Sequence, residues 1–117
     1  MKAILQRVKH ANVSVNNLEI ASINRGLLVL VGFSKNDNQS DVEKISNKIL
    51  NLRIFSDEES KMNLSLKDIS GSILIVSQFT LYAECNKGNR PSFISAAASI
   101  DDKKIYNEFV NYMKNQY

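Results

Sequence analysis

The sequence has no tryptophan, one proline (Pro91), one cysteine (Cys85), one histidine (His10) and four glycines in 117 residues. A lone cysteine excludes an internal disulfide framework. One Cys and one His also argue against a zinc site, which takes about four Cys, His or carboxylate ligands. No metal and no other cofactor is expected. The longest apolar run, Leu27 to Phe33, falls far short of the roughly 20 residues of a membrane span. Met1-Lys2-Ala3-Ile4 opens without the long apolar segment and cleavage site of a signal peptide. These absences point to a cytoplasmic protein with no membrane partner. Charge of one sign is also scarce: 15 Lys and Arg against 12 Asp and Glu leave a net +3, compatible with an anionic partner only if the basic residues cluster.

What is present is ordinary for a folded domain: 44% hydrophobic and 23% charged residues, in a length near the commonest domain size. Residues 4–8 and 11–15 read as short strands. Asn16-Asn17 suits a hairpin turn, because Asn tolerates positive φ, and residues 18–23 return as the next strand. Leu27 to Phe33 is uniformly apolar, as in a strand buried on both faces. Ser40-Asp41-Val42-Glu43 fits a capping box, with Val42, Ile45, Ile49 and Leu52 forming one helical stripe behind it. Residues 56–61 form a charged loop, and Gly71 opens a strand from Ile73 to about Tyr82. Ser99-Ile100-Asp101-Asp102 starts a second amphipathic helix that carries Ile105, Phe109 and Tyr112. The sum is an α+β fold: a mainly antiparallel, barrel-like sheet with two helices packed on it, in one domain over residues 1–117.

Three candidate chemistries are weak. Ser77 lacks the Gly-x-Ser-x-Gly elbow and has no visible link to His10, and nothing obvious would remove the Thr80 proton. Cys85 and His10 make a thiol pair only if the fold brings them together. Asp57-Glu58-Glu59 reads as a loop charge run, and Asp101-Asp102 as complement to a helix N-terminus. The loop Lys87-Gly88-Asn89-Arg90-Pro91-Ser92 is more informative. Gly88 lets backbone approach a ligand closely, Pro91 stiffens the exit, and Lys87 and Arg90 can meet phosphate oxygens.

Ser77-Gln78-Phe79-Thr80-Leu81 followed by Lys87-Gly88-Asn89-Arg90-Pro91-Ser92-Phe93 resembles the D-aminoacyl-tRNA deacylases, the D-tyrosyl-tRNA deacylase family. Gln6-Arg7-Val8, residues 26–32, residues 48–55 and Lys61-Met62-Asn63-Leu64-Ser65 resemble it too, so the similarity spans nearly the whole chain in order. The resemblance implies a homodimeric hydrolase that cuts the ester joining a D-amino acid, or glycine, to the 3′-terminal ribose of tRNA. It places Ser77, Gln78, Phe79 and Thr80 in the catalytic pocket, working through backbone contacts and the substrate's 2′-hydroxyl. Lys87, Gly88, Arg90, Pro91 and Phe93 fall in the matching substrate loop, and Arg7 matches the opening motif that braces the interface between subunits. The partner it implies is the 3′ end of tRNA, and DNA is not expected.

One departure stands out. The family carries a second signature near its C-terminus, Asn-x-Gly-Pro-Val-Thr, whose Gly-Pro pair reaches into the partner's pocket and rejects L-amino acids. The only proline here, Pro91, belongs to the other motif, so a C-terminally truncated deacylase domain is expected. The rival readings are a non-catalytic tRNA-binding module and an inactive fragment of the same fold.

Overall fold

The computed structural model describes all residues, Met1–Tyr117. Strands β1 (Lys2–Val8), β2 (Ala11–Val15), β3 (Leu18–Ile23) and β4 (Gly26–Gly32) precede helix α1 (Gln39–Asn51). Two short strands, β5 (Phe55–Ser56) and β6 (Met62–Leu64), then lead to β7 (Ser72–Ser77) and helix α2 (Ser99–Gln116). The fold is α+β. The central sheet has the order β1-β4-β7, with β1 antiparallel and β7 parallel to β4. β2–β3 and β5–β6 are separate antiparallel pairs, so no ladder joins the strands into a closed barrel. Asn16 and Asn17 both have positive φ, which is the geometry expected of the hairpin turn between β2 and β3.

Alternation along β4 decides where the core sits. Leu27, Val29, Val31 and Phe33 are fully buried, packed with Val42, Ile49 and Leu50 of α1 and Phe109 and Met113 of α2. Leu28 and Leu30, on the other face, are only half-buried, which corrects the expectation of a strand buried on both sides. The helices cover one face of the sheet, and the opposite face, with Ile4 at 52% exposure, is left partly open. α1 begins two residues earlier than read. Asn38 is its N-cap and Asp41 closes the capping box, because the helical backbone already includes Gln39 and Ser40. α2 starts at Ser99 as its acidic first turn suggests, although its N-cap, Ala98, offers no side-chain bond.

The largest local difference is at the end of β7. The strand stops at Ser77, and Phe79–Tyr82 form a 3-10 turn. The cause lies in the neighbouring strand. Gln78 N–H still bonds to the Val31 carbonyl at 2.7 Å, but beyond it β4 ends at Gly32 and no ladder remains to extend. Gly32 also lets the turn close in, since a Cβ there would lie 2.9 Å from the Gln78 carbonyl oxygen and 3.2 Å from the Leu81 Cβ. The Lys2 ammonium pins the turn from the other side, donating to the Leu81 carbonyl at 3.3 Å and lying 4.6 Å over the Tyr82 ring.

Candidate active site

The end of β7 and the turn after it gather most of the residues singled out above. In a continuous strand, alternation would put Gln78 and Thr80 on one face. The structure brings them together by a different route, because the turn folds Thr80 back so that the Gln78 side-chain amide donates to Thr80 Oγ1. That bond occupies an acceptor position of the hydroxyl and leaves its proton free to be donated. Within a 3-10 turn the leading N–H groups have no internal partner, so those of Phe79 and Thr80 are free of the turn's own bonding, whereas Leu81 N–H pairs with Gln78. Tyr82 closes the turn as a neutral phenol. Burial, and secondarily the Asp37 carboxylate, push its pKa up.

Beside the turn, Phe79 and Phe93 lie with ring centroids 5.2 Å apart at 59°. With Ala96, Ala97, Ser99 and Asp102 they line a cavity of about 380 Å³. The sequence alone offered Asp102 only as a charge complement to a helix N-terminus. Its Oδ2 accepts from Ser77 Oγ at 3.4 Å, and its Oδ1 is buried with no hydrogen-bond partner. The spacing of 25 residues between the two hid this pairing, and only the docking of α2 against the end of β7 makes it. A more apolar cleft of about 410 Å³ between β7 and α2, with Ile73, Ile75, Tyr106, Val110 and Met113 in its lining, holds none of the candidate residues.

The basic loop is closed at its base rather than free. Glu84 and Ser92 exchange backbone bonds at 2.7 and 2.9 Å, and Ser95 Oγ donates to the Glu84 carboxylate at 3.0 Å. Between those closures Lys87, Gly88, Arg90 and Pro91 are exposed, and Gly88 takes φ +62°, the left-handed conformation that favours glycine. The Phe79–Phe93 contact ties this loop to the turn, so the loop and the Ser77–Thr80 segment form one surface.

Arg7 does not join them within the chain. It pairs with Leu27 whereas Ser77 pairs with Val31, so the two sit four residues along the strands and two strands apart, on the order of 16 Å. There the Arg7 guanidinium donates to the Ile54 carbonyl at 2.9 Å. His10 follows Val8 at that same far end, exposed, so it meets neither Ser77, Thr80 nor the exposed, unpaired Cys85. No group of three or more His, Cys, Asp or Glu is placed to hold a metal ion. No helix is long and apolar enough to cross a membrane.

A hydroxyl, an amide and free backbone N–H groups beside an aromatic pocket define one class of site. Such an arrangement can meet developing charge with preorganised donors and holds no paired nucleophile and base. A family model described as D-Tyr-tRNA(Tyr) deacylase matches residues 4–117. The D-aminoacyl-tRNA deacylase of Thermosipho melanesiensis is 56% identical over 117 residues, covering 100% of this chain and 78% of that protein. That of Clostridium novyi is 52% identical over 116 residues, covering 99% and 78%. Among solved structures, the c-Myc DNA unwinding element binding protein superposes with a TM-score of 0.94 at 43% identity, over 100% of this chain and 78% of the other. A probable eukaryotic D-amino acid tRNA deacylase, at 22% identity and TM-score 0.81 over 96% of this chain and 66% of its own, shares the fold. The chain belongs to the D-Tyr-tRNA(Tyr) deacylase family.

Proposed function

We propose that the chain is a single deacylase domain that hydrolyses the ester of D-aminoacyl-tRNA, and of glycyl-tRNA, clearing mischarged tRNA in the cytoplasm. The observation that carries this reading is the match over residues 4–117, which takes in both the Ser77–Thr80 turn and the loop after it. An aminoacyl ester is already activated, so the enzyme has to place water and stabilise an oxyanion. Water attacks the carbonyl carbon and the carbonyl electrons move to oxygen. The tetrahedral intermediate then expels the ribose oxygen, which leaves with a proton derived from the water. The products are a free amino acid and tRNA with its terminal hydroxyl restored.

In this reading the free N–H groups of Phe79 and Thr80 receive the oxyanion, helped by the Thr80 hydroxyl. The substrate's 2′-hydroxyl assists the attack, which removes the need for a side-chain base. Ser77, held by Asp102, and Gln78, held against Thr80, keep the segment in shape. Phe79 and Phe93 present an aromatic wall, and Gly88 and Pro91 shape the loop from which Lys87 and Arg90 reach the phosphates of the 3′ end.

The active unit in this reading is a homodimer. Val15, Leu18 and Ile20 of the β2–β3 pair are 52%, 69% and 60% exposed, and Ile4 adds to the open sheet face. Apolar exposure on this scale supports self-association. A second subunit is also the route by which Arg7, remote from the turn in its own chain, can brace a site.

The test is deacylation of D-tyrosyl-tRNA beside L-tyrosyl-tRNA by the 117-residue protein. Cleavage of the D-ester with the L-ester spared is the expected outcome. Retention of tRNA binding with no cleavage above background would make the chain a tRNA-binding module instead.

A further inference from the structure

Lys44, Asn47, Lys48 and Asn51 follow one another on α1 at spacings of three, one and three, so they share one face of the helix. Together with Leu52 and Arg53 they line an open cleft of about 460 Å³ on the surface, well apart in sequence from the candidate active site. No carboxylate lines it. The chain has two ion pairs, from the N-terminus to Asp37 and from Lys61 to Glu59, so Lys44, Lys48 and Arg53 belong to neither. The cleft is also held in shape. Arg53 donates through Nε to the Asn63 carbonyl at 2.9 Å and through Nη2 to Asn63 Oδ1. Asn47 donates to the Tyr112 hydroxyl at 3.3 Å, and Asn51 to the Asn47 carbonyl at 2.8 Å.

Lys44 and Lys48, which no carboxylate pairs, are interleaved with amides on a fixed surface, the composition of a phosphate-contact face. Lys44 and Lys48 are one turn apart, with Cβ atoms about 5–6 Å from each other. That is the scale of neighbouring phosphates on one RNA strand. The helix also starts at the end of the sheet where the active-site turn lies. Asp37, just before it, takes the Met1 ammonium at 2.7 Å and is close enough to Tyr82 to raise its pKa. From there α1 rises ~1.5 Å per residue, which puts Lys44 and Lys48 about 8 and 14 Å along its axis.

We propose that this face of α1 docks the phosphate backbone of the paired acceptor arm of tRNA, while the Ser77–Thr80 turn holds the single-stranded 3′ end. The inference rests on the tRNA substrate assigned above. Paired RNA is recognised largely through its backbone and shape, so the face contributes affinity for the tRNA body without reading sequence.

The test compares the wild type with K44E/K48E on D-tyrosyl-tRNA and on a short D-tyrosyl oligonucleotide that carries only the 3′ end. Binding of uncharged tRNA and of duplex DNA is followed in parallel. The variant is expected to raise KM for the full tRNA by about tenfold and to flatten the salt dependence of tRNA binding by about 1.5 in log–log slope, roughly 0.7–0.9 per lost phosphate contact. Cleavage of the short substrate stays unchanged. The milder K44Q/K48Q moves in the same direction by less. Unchanged tRNA affinity in K44E/K48E overturns the proposal, as does an equal loss on the short substrate. Duplex DNA bound as tightly as tRNA, and lost equally in the variant, makes the face a DNA surface instead. If the wild type cleaves neither ester, the deacylase reading fails by itself, and the uncharged-tRNA measurement still decides the docking face.

Discussion

A hydroxyl becomes a nucleophile only when a neighbour can take its proton. Thr80 has no such neighbour, since its contact is the Gln78 amide, which donates to it. Thr80→Ala is therefore expected to lower kcat for D-tyrosyl-tRNA by about a hundredfold, the loss of one supporting donor, without abolishing turnover. Single-turnover assays check this, and complete inactivity in a stable, substrate-binding variant would restore Thr80 as nucleophile. Arg90 belongs to a different part of the surface, exposed beyond the Glu84–Ser92 closure. Arg90→Ala should weaken binding of D- and L-charged tRNA alike, with a shallower salt dependence. A change in chiral preference instead would put Arg90 in the amino-acid pocket. The sequence made these residues visible as types and as a family pattern. It did not show that Ser77 meets Asp102, because a bond across 25 residues leaves no local periodicity.

At the scale of elements, the parallel pairing of β4 with β7 aims the site, and a glycine permits it. A Cβ on Gly26 would lie 1.7 Å from the Ser72 carbonyl oxygen, a backbone atom that cannot swing away. Gly26→Ala should cost at least about 2 kcal/mol, read as a lower urea midpoint at unchanged slope. An unaltered midpoint would contradict the β4–β7 register. The approach to β7 is fastened by two carboxylates. Asp57 accepts from Lys61 and Glu59 N–H at 3.0 and 2.9 Å, and Asp68 from Ser65 N–H at 2.8 Å. These backbone bonds, led by Lys61 for Asp57 and by Ser65 for Asp68, hold both pKa values below the ordinary carboxylate value. A depressed folded pKa contributes stability that is present above the unfolded value and lost as pH falls through the folded one. Acid should thus loosen the β5–β7 region below about pH 4. Stability measured against pH should fall less steeply there in Asp57→Asn/Asp68→Asn, and an unchanged slope would reject the linkage.

For the whole molecule, one sheet face is sealed by two helices and the other is left with exposed aliphatic side chains. A two-stranded pair such as β2–β3 is marginal alone in water, and its apolar side chains gain most from a second surface. In the proposed homodimer, Leu18→Glu/Ile20→Lys should shift the protein from dimer to monomer in sedimentation at micromolar concentration and lower deacylation with it. An unchanged sedimentation coefficient would remove this face from the interface.

Sequence alone determined the elements whose information is local. Both helices followed from apolar spacing, the β2–β3 turn from Asn16-Asn17, and the family from motifs spread along the chain. Side-chain period and turn chemistry act over a few residues, so they survive in a linear reading. Tertiary structure decided what depends on neighbours. Where β7 stops was set by the end of β4, not by the apolar run that continues through Phe79 and Leu81. Whether a face of β4 is covered was set by the helices lying on one side, which no uniform apolar stretch can reveal. The separation of Arg7 and His10 from the Ser77 turn was set by strand register, because an antiparallel partner sends residues close in motif logic to opposite ends of the sheet.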